Sequence, residues 1–175
     1  MDWQTIVFEV IDMRSFSNLW FWIILAVMWS TSSHWILGVP FDMVGRAQKV
    51  GGQAAVDLED LARIHVNRVL YIAETAGLIL LGLGCFVLTA LFLLGAFYGI
   101  EFAQALFLLG FPTSVVWLLN IRLAKRIRDG QLQADALCTM LSRHRVWIQV
   151  IGMMSIFVTA LWGMYQNLSY GALIH

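Results

Sequence analysis

Four stretches of this chain are each long enough to cross a bilayer, and none contains Lys, Arg, Asp or Glu. They are Leu19–Gly38 (LWFWIILAVMWSTSSHWILG), Thr75–Tyr98 (TAGLILLGLGCFVLTALFLLGAFY), Phe102–Ile121 (FAQALFLLGFPTSVVWLLNI) and Val146–Gln166 (VWIQVIGMMSIFVTALWGMYQ). A membrane-crossing helix needs roughly 20 mostly apolar residues. Backbone polar groups in hydrocarbon must be bonded within their own segment, so such stretches are helices. The expected fold is therefore all-α, a four-span membrane bundle forming one domain over residues 1–175. Composition agrees: 13% of the residues are charged, against about 25% in an ordinary soluble domain. Lys plus Arg and Asp plus Glu are both 11, so no nucleic-acid partner is expected. Cys85 and Cys138 form no CxxC or zinc spacing, which removes disulfide scaffolds, cysteine-ligated clusters and structural zinc.

The bases predict orientation, because loops rich in Lys and Arg stay in the cytoplasm. Arg46, Lys49, Arg63 and Arg68 lie between spans one and two, and Arg122, Lys125, Arg126, Arg128, Arg143 and Arg145 between spans three and four. Only Arg14 lies elsewhere. Both longer loops are thus expected in the cytoplasm. The N-terminus, the Gly99–Glu101 turn and the C-terminal tail are expected outside, in the periplasm of a bacterial inner membrane. Arg46, Lys49, Arg122, Lys125, Arg126 and Arg128 are the expected contacts for anionic headgroups or a partner. Trp20, Trp22, Tyr98, Trp162 and Tyr165 would form an outer aromatic belt, and Trp35, Tyr71, Trp117 and Trp147 an inner one. Trp29, near mid-membrane, reads as a packing residue.

The first residues do not read as a cleavable signal. Trp3, Ile6, Val7, Val10 and Ile11 share one helical face opposite Asp2, Gln4, Thr5, Glu9 and Asp12, which predicts an amphipathic helix on the outer surface. In loop one, Pro40 ends span one and Gly51-Gly52 breaks the segment. From about Ala54 a helix is expected to run straight into span two. In loop two, Asp129-Gly130 breaks the chain and Gln131–Arg145 leads as a helix into span four. A repeat is one reading of these loops: Trp35-Ile-Leu-Gly-Val against Trp117-Leu-Leu-Asn-Ile, and Gly52-Gln53-x-x-x-Asp57 against Gly130-Gln131-x-x-x-Asp135.

Polar residues gather toward the inner leaflet: Ser30 to His34 in span one, Glu74 at span two, Asn120 ending span three and Gln149 in span four. His65 and His144 stand just before spans two and four. His34, His65, Glu74 and His144 are therefore the candidate polar or ligand cluster. One reading makes them a metal or b-type haem site, His34 acting with His65 or His144. Another is proton or ion handling by Glu74 and His34. The bland reading has hydroxyls and amides tying helices together. Gly77, Gly84, Gly95 and Gly99 are the candidate close-packing positions, two of them in Gly95-x-x-x-Gly99. Pro112 is expected to kink span three. Cys85 reads as a small packing residue, and Cys138 as an exposed one. No phosphate-binding loop, GxSxG, HExxH or paired intramembrane carboxylate is present, so neither an enzyme nor a bound cofactor is expected.

The segments FEVIDMRSFSNLW (Phe8–Trp20) and SSHWILGVPFDMV (Ser32–Val44) resemble a small membrane-protein family of Rhodobacter-like alphaproteobacteria. Its members are often catalogued as "component of SufBCD complex". The resemblance implies a link to iron–sulfur cluster assembly. That core is soluble and needs a P-loop ATPase and cysteines, so the most this chain can be is a membrane partner. The chain is also similar in length and span count to the small membrane subunit of tripartite periplasmic transporters, which is expected to keep both termini in the cytoplasm. The leading expectation is a non-catalytic accessory or assembly subunit of a larger inner-membrane complex, or a homo-oligomer. It would bind by helix packing and basic loops. A redox subunit or a transporter subunit is the alternative.

Overall fold

The computed structural model describes residues 16, 19–130 and 134–172. Among these the chain is helical apart from one small hairpin and the turns at 51–52 and 97–100: α1 (Leu19–His34), β1 (Trp35–Ile36), β2 (Val39–Pro40), α2 (Phe41–Val50), α3 (Gln53–Ala96), α4 (Glu101–Gly130) and α5 (Ala134–Ala172). The amphipathic helix expected over Trp3–Ile11 lies outside the described residues.

Three helices, α3, α4 and α5, are long and apolar enough to cross a membrane. As expected from the loop patterns, α3 starts at Gln53 and passes without a break into span two, and α5 does the same into span four. Span one differs. The helix ends at His34, four residues before the expected Gly38. At 1.5 Å per residue its 16 residues reach about 24 Å, short of the roughly 30 Å hydrocarbon core. Short hydroxyl side chains at Ser30–Ser33 compete for backbone groups and weaken the helix here. Leu37 (φ +54°) and Gly38 (φ +82°) then close a two-residue hairpin in which Trp35 pairs Pro40 and Ile36 pairs Val39. Two positive φ values in succession are the signature of a type I′ turn, which suits the twist of a tight hairpin. The echo between Trp35–Val39 and Trp117–Ile121 is therefore not structural, because the first lies in this hairpin and the second inside α4.

Pro40 caps α2, its extended backbone (ψ +133°) setting the helix direction. Gly51 and Gly52 (φ +61° and +52°) turn the chain from α2 into α3. Pro112 sits inside α4, whose helix continues past it to Gly130. The Thr113 and Ser114 hydroxyls donate back to the Leu109 and Gly110 carbonyls (2.6 and 2.8 Å).

The larger core is at the basic end, not along the uncharged stretches of the three long helices. Ile36, Val39 and Val44 from the hairpin and α2 meet Leu58, Ala62, Val66 and Leu70 from α3, with Leu123 and Ala124 from α4 and Leu137 and Leu141 from α5. The α3 positions recur every four residues, one stripe along the helix. A smaller core of Leu25, Trp29, Val116 and Ile148 fastens α1 to α4 and α5. In contrast, none of the most apolar 18-residue stretch of α3 is buried.

Candidate functional site

At the basic end, the four candidate ligand residues are each occupied separately. His65 lies under the hairpin, and a Cβ added to Gly38 would stand 2.5 Å from its Nδ1. Gly38 is thus required twice, for its positive φ and for the ring beneath it. His144 is buried between α4 and α5, its Nε2 2.8 Å from Asn120 Oδ1. Burial pushes the His144 imidazole below its ordinary range, because desolvation penalises the charged form. Glu74 accepts a hydrogen bond from Arg128 Nη1 at 2.8 Å, joining α3 to α4 in a half-exposed ion pair. His34 is exposed and meets the Trp35 ring edge-on. Among the described residues no hydrogen bond or ion pair links any two of the four, and no three His, Cys, Asp or Glu side chains converge as metal ligands would.

The basic side chains fall into two groups. Arg46 pairs with Asp42 (3.9 Å) and Arg63 with Asp60 (2.8 Å), both along their own helices. Arg145 lies over the Phe41 ring at 3.9 Å, a cation–π contact that clamps α2 against α5. Lys49, Arg122, Lys125 and Arg126 are exposed, and no ion pair engages them among the described residues.

The opposite end carries a polar network around Gln104 of α4. Its Nε2 donates to the Gly95 carbonyl (2.9 Å), and its Oε1 accepts from Trp162 Nε1 (3.0 Å) and from Gln166 Nε2. One amide thereby ties α3, α4 and α5 together. Beside it, the buried Glu101 Oε1 accepts the Phe16 N–H at 2.7 Å, and Trp22 Nε1 donates to the Phe16 carbonyl at 3.1 Å. Glu101 is thus the first residue of α4 and an anchor for the chain before α1, rather than part of an exposed turn.

The candidate glycines separate in the same way. Gly95 is the close-packing position: a Cβ there would stand 2.9 Å from Gln104 Cγ and 3.2 Å from its backbone nitrogen. Gly77 and Gly84 face open space, with nothing within 4 Å of an added Cβ. Gly99 sits in the α3–α4 turn with φ +67° and packs against no helix. Gly152 is a close-packing glycine that the sequence reading lacks, lying against the Trp29 ring at 2.8 Å from an added Cβ. The cysteines reverse their expected roles. Cys138 is buried in the basic-end core, its thiol pushed up by burial, whereas Cys85 is exposed on α3.

Between α3 and α4 an apolar groove of about 490 Å³ opens sideways along their uncharged stretches, walled by Leu81, Gly84, Cys85 and Leu88 on one side and Phe111 and Leu118 on the other. A second of about 340 Å³ lies between α4 and α5 beside Pro112 and Ser155. These surfaces offer packing and hydrogen bonding; no nucleophile–base pair accompanies them among the described residues. Gln104 and Glu101 carry helix-tying bonds that sequence reasoning missed, whereas Asn120, which bonds His144, stands among the polar residues it singles out. The available signal was a polar residue adjoining or inside an uncharged span, a position usually reserved for interhelical bonding. No family model matches the chain, and no curated protein or solved structure matches it.

Proposed function

We propose that the chain is a non-catalytic accessory or assembly subunit of a larger complex in the bacterial inner membrane. In this reading α1 joins α3, α4 and α5 as a fourth membrane element, the basic end is cytoplasmic and both termini are periplasmic. The observation that carries it is the contrast between the two levels of the molecule. Side-chain packing is dense at the basic end, where the hairpin, α2 and three long helices share one core. The most apolar stretch of α3, by contrast, has no buried residue. Such a surface needs lipid or another protein against it. The basic end then forms a rigid platform with unpaired cations for a soluble or membrane partner.

The excess of bases at that end supports the orientation, and the separate engagement of His65, Glu74 and His144 favours structural roles for them. The test is affinity purification from the native host in a mild detergent, with every co-purifying chain identified by mass. A partner at fixed stoichiometry is the expected result. A chain recovered alone, or only with itself, would overturn the accessory role.

A further inference from the structure

The groove between α3 and α4 leads toward the unpaired bases. On α4, Phe111, Val115 and Leu118 line it, and helical register carries the same face on to Arg122 and Lys125, four and seven residues beyond Leu118. Both are exposed and unpaired among the described residues, whereas the neighbouring Arg128 is held by Glu74. On α3, Gly84 contributes a stretch of wall without a side chain; Gly77 lies beyond the lining residues, two turns nearer the basic end on the same face by helical register, and an added Cβ there meets nothing within 4 Å. Two contacts set the antiparallel register of the helices, Glu74 to Arg128 and Gly95 to Gln104. That register puts Gly77 level with the Arg122–Lys125 turn. An apolar channel at bilayer depth thus ends, at the level where hydrocarbon gives way to water, in two cations without a counter-charge.

We propose that this groove is a binding site for one anionic glycerophospholipid. An acyl chain lies along Gly84 and Leu88 against Phe111 and Leu118, and the phosphate sits on Arg122 and Lys125. The volume of about 490 Å³ is within the roughly 300–1,000 Å³ of small-molecule sites. Charge complementarity selects the occupant: an uncharged apolar molecule leaves both cations unanswered, and a soluble anion leaves the groove facing bulk lipid. Glycine at 77 and 84 keeps the channel open, which gives a physical reason for two small residues that pack against no helix among the described residues. The proposal rests on the bilayer reading of the long helices.

Two measurements separate the site from that reading. The full chain is first floated with vesicles of phosphatidylcholine alone, and failure to float would refute the bilayer reading itself. The protein in mild detergent is then titrated with phosphatidylglycerol or phosphatidylcholine and the retained lipids are counted by native mass spectrometry. The expected result is one phosphatidylglycerol held in clear preference. Each cation beside an anionic headgroup is worth roughly fivefold, so Arg122→Gln with Lys125→Gln lowers that preference by up to about 25-fold. Gly84→Leu, at a position where the chain has room for a side chain, fills the groove and lowers retention while the protein still floats and unfolds at its normal temperature. A chain that floats but holds both lipids equally overturns the site, as does a Gly84→Leu variant that retains phosphatidylglycerol like the parent.

Discussion

Replacing Gly95 by Ala tests a close approach between α3 and α4. Helix propensity alone predicts a gain of about 0.5–1 kcal/mol, since glycine loses more backbone freedom on folding than alanine. The structure reverses the sign. The new methyl would stand 2.9 Å from Gln104 Cγ and 3.2 Å from the Gln104 backbone nitrogen. The side chain alone could turn aside, but the backbone atom requires the two helices to part by a few tenths of an ångström. Turning the side chain aside also breaks its bonds to the Gly95 carbonyl and to Trp162. Overpacking of this kind costs about 1–3 kcal/mol, so the net expectation is a loss of about 0.5–2 kcal/mol. Gly84→Ala is the control, because an added Cβ there meets nothing within 4 Å. Both variants would be unfolded in mild detergent by rising temperature and followed by tryptophan fluorescence, to which Trp162 in the network contributes. Equal stability of the two variants, or a more stable Gly95→Ala, would refute the close approach of the helices.

Glu101→Ala leaves the buried Phe16 N–H without an acceptor and should cost about 1–3 kcal/mol, whereas Glu101→Gln keeps an acceptor oxygen and should cost less; thermal unfolding ranks the pair. Leu141→Ala opens a hole in the basic-end core, where Leu141 is fully buried, and should cost about 2–5 kcal/mol, read as a lowered unfolding temperature. His144 has a folded-state pKa below its unfolded value near 6.5, so the unfolded chain takes up the proton more readily. Stability should be level above that pH and fall as the pH drops below it, and His144→Gln should flatten the slope of unfolding temperature between pH 7.5 and 5. Reversing the half-exposed Arg128–Glu74 pair by exchanging the two residues should change stability by less than about 1 kcal/mol.

The long helices were legible because hydrocarbon imposes a rule on composition: residues 75–98, 102–121 and 146–166 carry no formal charge, and each lies in a helix long enough to cross. The continuous run from Gln53 into span two was legible too, since Val56, Leu58, Leu61, Ile64 and His65 recur near helical spacing before the apolar stretch begins. What escaped reading was whatever depends on pairing between distant segments. The hairpin at Trp35–Pro40 needs Leu37 at positive φ, a state leucine rarely adopts, so local propensity argues against it. Glu101 reads as a turn residue until Phe16, 85 positions earlier, is seen to donate to it. Gly77 and Gly95 are indistinguishable along the chain, and only the neighbouring helix shows which one is crowded. His65 and His144 stand at matching places before spans two and four, yet one supports the hairpin and the other bonds Asn120.

The claim most open to direct attack is that the bare apolar face of α3 is covered in the cell by lipid or a partner. The two native cysteines report on it without mutation. Cys85 is exposed on the chain itself, and Cys138 is buried in the basic-end core. Washed native membranes would be treated with a charged, water-soluble maleimide, and the modified peptides located by mass before and after denaturation. Protection of Cys85 in the intact membrane and its full labelling after denaturation is the predicted result. Rapid labelling of Cys85 in intact membranes would mean that water reaches this face, and the bilayer account of the long helices would be wrong.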